Sequence, residues 1–310
     1  MMQKKAAMGR LVSAVLLVLG AIYLLLYTKQ ASGATVAGLR LCVYTVIPAV
    51  FPYLVLSSLF VKLGLADYLA RPLTRVTRRF FALPGCCGGV ILLGLLCGFP
   101  TGANMSVTLY KEGYITKEQA ERLTAFCNFC GPSYIVSVLG MRVWHSTKKA
   151  LSFFVLQSVL ALLLGMLLGI GKKREREVRV VLSPASYSRA FTESITQACG
   201  ATLSVCGYVT FFSVLLSAFS PILAGCSPTI SALVCGVFEM SAGVSRLVGR
   251  TTGGSFAGVI VLWSGLSVWM QIQSLCQTQD GQRLSLALYL RLRLVLVVMG
   301  MIFAWIFDKI

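Results

Sequence analysis

The sequence predicts an all-α polytopic membrane protein with two inverted repeats containing broken or re-entrant helices. Composition points there first: of 310 residues, 57% are hydrophobic and 12% charged, with a mean hydropathy of +0.82. That is too apolar for a soluble globule and fits a bilayer. Residues 92–103 (LLGLLCGFPTGA) then form an apolar run broken in its middle by Gly98, Pro100 and Gly102. A comparable stretch, 235–244 (CGVFEMSAGV), stands in the second half. Proline removes a backbone donor and glycine gives up helix stability, so the chain opens at these points. In hydrocarbon, opened backbone is tolerated only where it is buried in protein or lines a wet cavity. Two interrupted apolar segments in matching positions are the best sequence pointer to a central solute site.

Residues 1–37 are expected to hold an N-terminal transmembrane helix, with Lys4, Lys5 and Arg10 ahead of the uncharged run 11–27. The stretch 31–34 (ASGA) has the small residues of a signal-peptidase site, but the many spans that follow favour a retained helix. Residues 38–171 form the first repeat. It opens with a span over 41–65, kinked by Pro48 and Pro52. Residues 71–79 (RPLTRVTRR), four arginines without an acid, read as a cytoplasmic loop. After the broken segment 88–107, Thr116 and Gln119 have the spacing of a capping box that opens a helix. That helix runs into 126–140, interrupted again at Gly131-Pro132, and 150–170 is a plain span. Residues 172–190 are a basic cytoplasmic linker, with KKREREVR at 172–179.

Residues 191–310 form the second repeat: a long span at 194–223, an uncharged turn at 220–228, and broken segments at 230–248 and 256–275. A last span covers 284–307, with Arg291 and Arg293 near its start, where they can snorkel to the interface. Landmarks recur in order, Pro52-Tyr53 with Gly207-Tyr208, 98–102 with 239–243, and 131–133 with 265–267. If one broken segment is a re-entrant hairpin, both basic loops lie inside. The two repeats then have opposite orientations, with a site near the midplane.

The net charge of +18, from 28 Lys+Arg against 10 Asp+Glu, would suggest nucleic acid in a soluble protein. Here the cations sit between apolar segments, as topology signals that also meet anionic membrane lipid; no nucleic-acid partner is expected. Eleven cysteines lie mostly inside apolar segments, and Cys127-Asn-Phe-Cys130 is a lone CxxC, so neither metal nor disulfide is expected. The sequence holds no nucleophile–base pair or P-loop, so it supports neither an enzyme nor a cofactor. Lone His145, beside Arg142 and Trp144, reads as interfacial.

Glu239 is the only acid well inside an apolar segment. It either binds a coupling proton or cation, or latches the unwound backbone of its own break. The expected substrate-binding set is Gly98, Pro100, Thr101, Gly102, Asn104, Asn128, Gly131, Ser133, Glu239, Ser241, Gly243, Ser245, Gly265, Ser267 and Gln271. Its uncharged polar members serve equally as solute ligands or as interhelical glue, and its glycines as close-packing positions. Helix N-termini made by the breaks would favour carboxylate or phosphate. The expected partner is a small anionic or heteroaromatic solute; oligomeric state is not legible.

Three motifs carry a family resemblance. They are G-[FY]-P-x-G-A at 98–103, K-E-G-x-[IL]-[ST]-x-E-x-A-x-R-L at 111–123, and N-x-x-[GS]-P at 128–132. Together they resemble the signature region of the YlbJ-type (SpoVV) sporulation integral membrane proteins, which carry the Gate, or nucleoside-recognition, domain. Residues 236–243 and 265–275 resemble the second half of that family. The resemblance implies paired Gate-type repeats, distantly similar to concentrative nucleoside transporters. For the sporulation branch it implies movement of dipicolinic acid from mother cell toward forespore across the outer forespore membrane. A nucleoside carrier and a non-transporting sporulation scaffold are the other readings it leaves open.

Overall fold

The computed structural model describes all residues except 1, 64, 112, 173–185, 251–253, 278–282 and 308–310. Most of the expected basic linker therefore lies outside the described residues. The described chain is built of helices; its only extended pairing is an isolated bridge between Gln277 and Arg283. Among the described residues, four segments are long and apolar enough to cross a membrane: Thr28–Leu56, Thr147–Leu167, Tyr187–Ala218 and Ser255–Leu275. Shorter apolar helices cover Leu11–Leu26, Cys87–Cys97 and Pro228–Phe238. Their outer faces carry large apolar side chains in the open, such as Leu25, Leu203 and Phe211, as lipid-facing surfaces do. The chain is a multi-pass integral membrane protein.

In order, α1 (Met2–Leu26) leads into α2 (Thr28–Leu41), which continues through a π-helical stretch, Cys42–Val46, into α3 (Ile47–Lys62). The wide stretch stands just ahead of Pro48, whose missing N–H cannot bond the carbonyl four residues back. Residues 31–34 lie inside α2, whose Ala31 is buried. The expected cytoplasmic loop at 71–79 is instead part of a helix, α4 (Leu65–Phe80). Its arginines share that helix with Leu73 and buried Thr77, so the run is an amphipathic surface rather than a linker.

The broken segment follows as α5 (Cys87–Cys97) and α6 (Thr101–Lys111). Next comes α7 (Lys117–Phe126), opened by the expected capping box: Thr116 Oγ1 accepts from the Gln119 N–H, and Gln119 Oε1 accepts from the Thr116 N–H at 2.9 Å. Beside its first turn, Lys172 Nζ lies 2.6 Å from Glu118 Oε1 and holds that carboxyl below its usual range. A non-helical stretch leads to α8 (Pro132–Tyr134), which widens into a π-helical segment, Ile135–Val143, before α9 (Thr147–Leu167). Trp144 donates to the Gly254 carbonyl at 2.8 Å and stacks edge-on against Phe153, so it is tied into the protein, while His145 is exposed.

The second half runs α10 (Tyr187–Ala218), α11 (Ser220–Ala224), α12 (Pro228–Phe238), α13 (Met240–Ser245), α14 (Ser255–Trp263), α15 (Gly265–Leu275) and α16 (Ala287–Phe307). α10 packs along α2 and α3, where Gly38 lets the backbones of α2 and α10 close up. α16 packs on α14 and reaches back to α7. One apolar core cluster joins Phe129, Tyr134 and Ile135 of the first half to Met240, Val244, Ile260 and Leu296 of the second. The halves are thus fused where the interruptions fall.

Candidate functional site

The first break leaves the helix at Gly98, whose φ of 75° and ψ of −165° suit glycine alone. A β-carbon there would collide with the backbone of Gly131 and Phe129. This contact seats the first break directly on the second, the non-helical stretch before α8. Phe99 N–H donates to the Phe129 carbonyl at 2.7 Å, and Asn128 Oδ1 accepts from the Ala103 N–H at 3.4 Å. Gly98→Ala should therefore lower stability by about 2 kcal/mol or more, through both the close approach and the backbone strain. Gly200→Ala, at an uncrowded helical position, should leave it unchanged or raise it by up to ~1 kcal/mol. Thermal unfolding of the two variants side by side checks this.

Opened backbone needs partners, and long side chains from distant helices supply them. Arg293 of α16 donates through Nη2 to the Asn128 carbonyl, and Gln157 of α9 donates to the Cys130 carbonyl at 2.9 Å. With Phe99 on Phe129, three successive carbonyls of the non-helical stretch are taken.

The second half also brings two breaks together, with different chemistry. α12 ends at Glu239, which is extended and N-caps α13 by accepting from the Ala242 N–H. α14 ends at Ser264 and Gly265, with φ of 73° and 80°. Gly265 lies against Met240, Gly236 and Glu239, so this pair of breaks is also in contact. Here too side chains cover the freed carbonyls: Trp263 bonds Val237 at 3.1 Å, Trp269 bonds Trp263 at 3.1 Å, and Arg293 Nη1 bonds Leu262 at 3.0 Å.

Three of the four interruptions, and the helix that follows the fourth, line one cavity of about 550 Å³, counting its open mouth. Cys97 and Phe99 come from the first break, Cys130, Gly131 and Tyr134 from the second, Glu239, Met240 and Ser241 from the third. Val268 and Gln271 come from the helix after the fourth. Val46, Ala49, Val50, Val205 and Val209 close the apolar side. Glu239, 2% exposed, is the charged side chain of this lining, with the Ser241 and Tyr134 hydroxyls close by.

Of the expected site residues, Gly131, Glu239, Ser241 and Gln271 line the cavity. Gly98, Pro100, Thr101, Gly102, Asn128 and Gly265 are buried and build the breaks behind its wall, while Asn104 and Ser133 are half-buried beside them. Ser267 is fully buried two residues beyond Gly265. Gly243 is spent on helix packing, with its backbone against Gly236. Ser245 is exposed and bonds back to the Ala242 carbonyl, away from the cavity.

Arg293 corrects the sequence reading. Expected to snorkel to the interface, it is 0% exposed, with its guanidinium 4.5 Å from the centre of the Phe129 ring and 4.8 Å from that of Tyr289. A signal existed: two positions apart on a helix is about 200° of rotation, so Arg291 and Arg293 cannot share a face. Gln157, Trp263 and Trp269 escaped notice because nothing local marks a side chain as partner to a distant carbonyl.

Residues 43–144 match the family model Gate, described as nucleoside recognition. That stretch is similar to the Gate family. The match takes in the α3 wall of the cavity and both first-half breaks. The chain is also similar to the sporulation integral membrane protein YlbJ of Bacillus subtilis (strain 168), with 23% identity over 289 residues, covering 80% of this chain and 71% of that protein. The resemblance read from the Gate-region motifs is borne out by both matches. No solved structure matches the chain.

Proposed function

We propose that this protein is a membrane transporter of a small organic anion, acting in sporulation, with dipicolinic acid as the first candidate solute. The convergence of three helix interruptions, and of the helix that follows a fourth, on one cavity carries the reading. Interrupted helices are found where transporters hold solute, because they expose backbone and polar groups at a depth where continuous helices expose none. The paired breaks, Gly98 with Gly131 and Glu239 with Gly265, support two inverted repeats with re-entrant segments. A lining that combines valines with Ser241, Gln271 and Tyr134 suits a flat heteroaromatic ring with polar edges. A bound dianion beside Glu239 requires that carboxyl to be neutralised, which assigns it the coupling proton or cation. The similarity to a sporulation membrane protein supports the biological setting, and the transport reading places catalysis outside this site.

A nucleoside or nucleobase carrier is the second reading. It is favoured by the cavity lining, which pairs a carboxylate with an amide and holds no lysine or arginine. Uptake into vesicles containing the purified protein separates the two. Accumulation of labelled pyridine-2,6-dicarboxylate, competed by unlabelled compound and not by uridine, is the expected result. Uridine uptake without dicarboxylate uptake would replace the first reading by the second, and uptake of neither would favour a scaffold.

A further inference from the structure

A second, open cavity of about 450 Å³, counting its mouth, lies where α11, α12 and the turn after α13 meet. Its walls are Leu223, Cys226, Pro228, Ser231, Arg246 and Arg250. Two exposed arginines ordinarily fan apart into solvent or headgroups; here both are fastened onto one concave site. Arg246 donates through Nη1 to Ser231 Oγ at 3.1 Å, and Ser231 is only 5% exposed. Arg250 donates through Nε to the Arg246 carbonyl at 2.9 Å, which leaves its Nη edge for another acceptor. Among the described residues neither guanidinium has a carboxylate partner. Glu239, at the far end of α13, is occupied by that helix's first turn. The planar fork of arginine matches phosphate oxygens, and two forks with a serine hydroxyl make a donor-only cradle.

We propose that this cavity binds a phosphate-bearing anion, with Arg246 and Arg250 as its cationic arms. The group is supplied either by an acidic phospholipid headgroup or by free phosphate. The same helices present Ile222 and Ile230 in the open, 69% and 51% exposed, so an acyl chain would meet apolar surface beside the cradle. The site is separate from the central cavity and independent of which solute that cavity carries.

The test uses the full chain purified in a neutral detergent, titrated with phosphatidylglycerol, phosphatidylcholine or inorganic phosphate while thermal unfolding is followed. Phosphatidylglycerol is expected to protect and phosphatidylcholine not to. In Arg246→Gln/Arg250→Gln the concentration needed should rise at least about tenfold. Arg246→Lys/Arg250→Lys should keep most of the affinity. Lys148→Gln/Lys149→Gln, which removes the same charge from two exposed positions elsewhere, should bind like the parent. Protection by inorganic phosphate alone, lost in the glutamine pair, would support the site with free phosphate as its source. Equal titrations for parent and glutamine pair, or an equal loss in the Lys148/Lys149 control, would overturn the proposal.

Discussion

Arg293→Met should be among the most damaging single changes in this protein, lowering its melting temperature by about 6–12 °C, on the scale of a few degrees per kcal/mol for a chain of this size. The reason lies in what remains after the side chain is removed. The carbonyls of Asn128 and Leu262 would lose the donors they have now, in a protein core within the membrane where water does not replace them. An orphaned buried acceptor costs about 1–3 kcal/mol, so two cost about 3 kcal/mol or more. Relief from burying a guanidinium works in the opposite direction. It does not cancel this loss, because a swap for an apolar residue is neutral only when both partners become apolar. Arg293→Lys should fall between the two, since an ammonium carries its donors on one atom and lacks the two-armed fork that now serves both carbonyls. Unfolding followed in detergent decides the matter: a change under about 2 °C in the methionine variant would mean the carbonyls find other partners.

Glu239→Gln should reduce solute uptake at least tenfold while leaving the melting temperature within about 2 °C of the parent. Glutamine keeps the length of glutamate and an oxygen that can accept from the Ala242 N–H, so the cap on α13 survives. It cannot ionise, so any step that needs a charge to appear and vanish in the cavity is lost. Glu239→Ala removes cap and charge together and should lower both stability and uptake. The pair separates the two roles open to this residue. If uptake persists in Glu239→Gln and falls only in Glu239→Ala, the carboxylate is a latch and carries no coupling ion.

The helical class was legible from composition, and the first break from proline and glycines standing close together, whereas a single glycine such as Gly38 or Gly243 serves helix packing instead. Thr116 and Gln119 fixed a helix start to the residue, since a capping box is a local bargain between neighbours. The cavity was legible only in outline. Glu239 stood out as a lone acid in an apolar run, but Ser245, about one turn further along α13 than Ser241, is exposed and bonds the Ala242 carbonyl instead of lining the cavity. Arg71 to Arg79 looked like a loop because a cluster of cations marks the membrane boundary whether it is helical or not. What sequence could not reveal was the set of side chains that finish the breaks. Gln157 and Arg293 act 27 and 165 residues from the carbonyls they bind, and such pairs leave no pattern along the chain.

That distance bears on where this molecule can be cut. The family match ends at residue 144, yet the loop at its heart borrows one donor from α9 and another from the C-terminal helix. A fragment stopping at the matched boundary would present bare acceptors to lipid, so the unit that folds is larger than the stretch the family model spans.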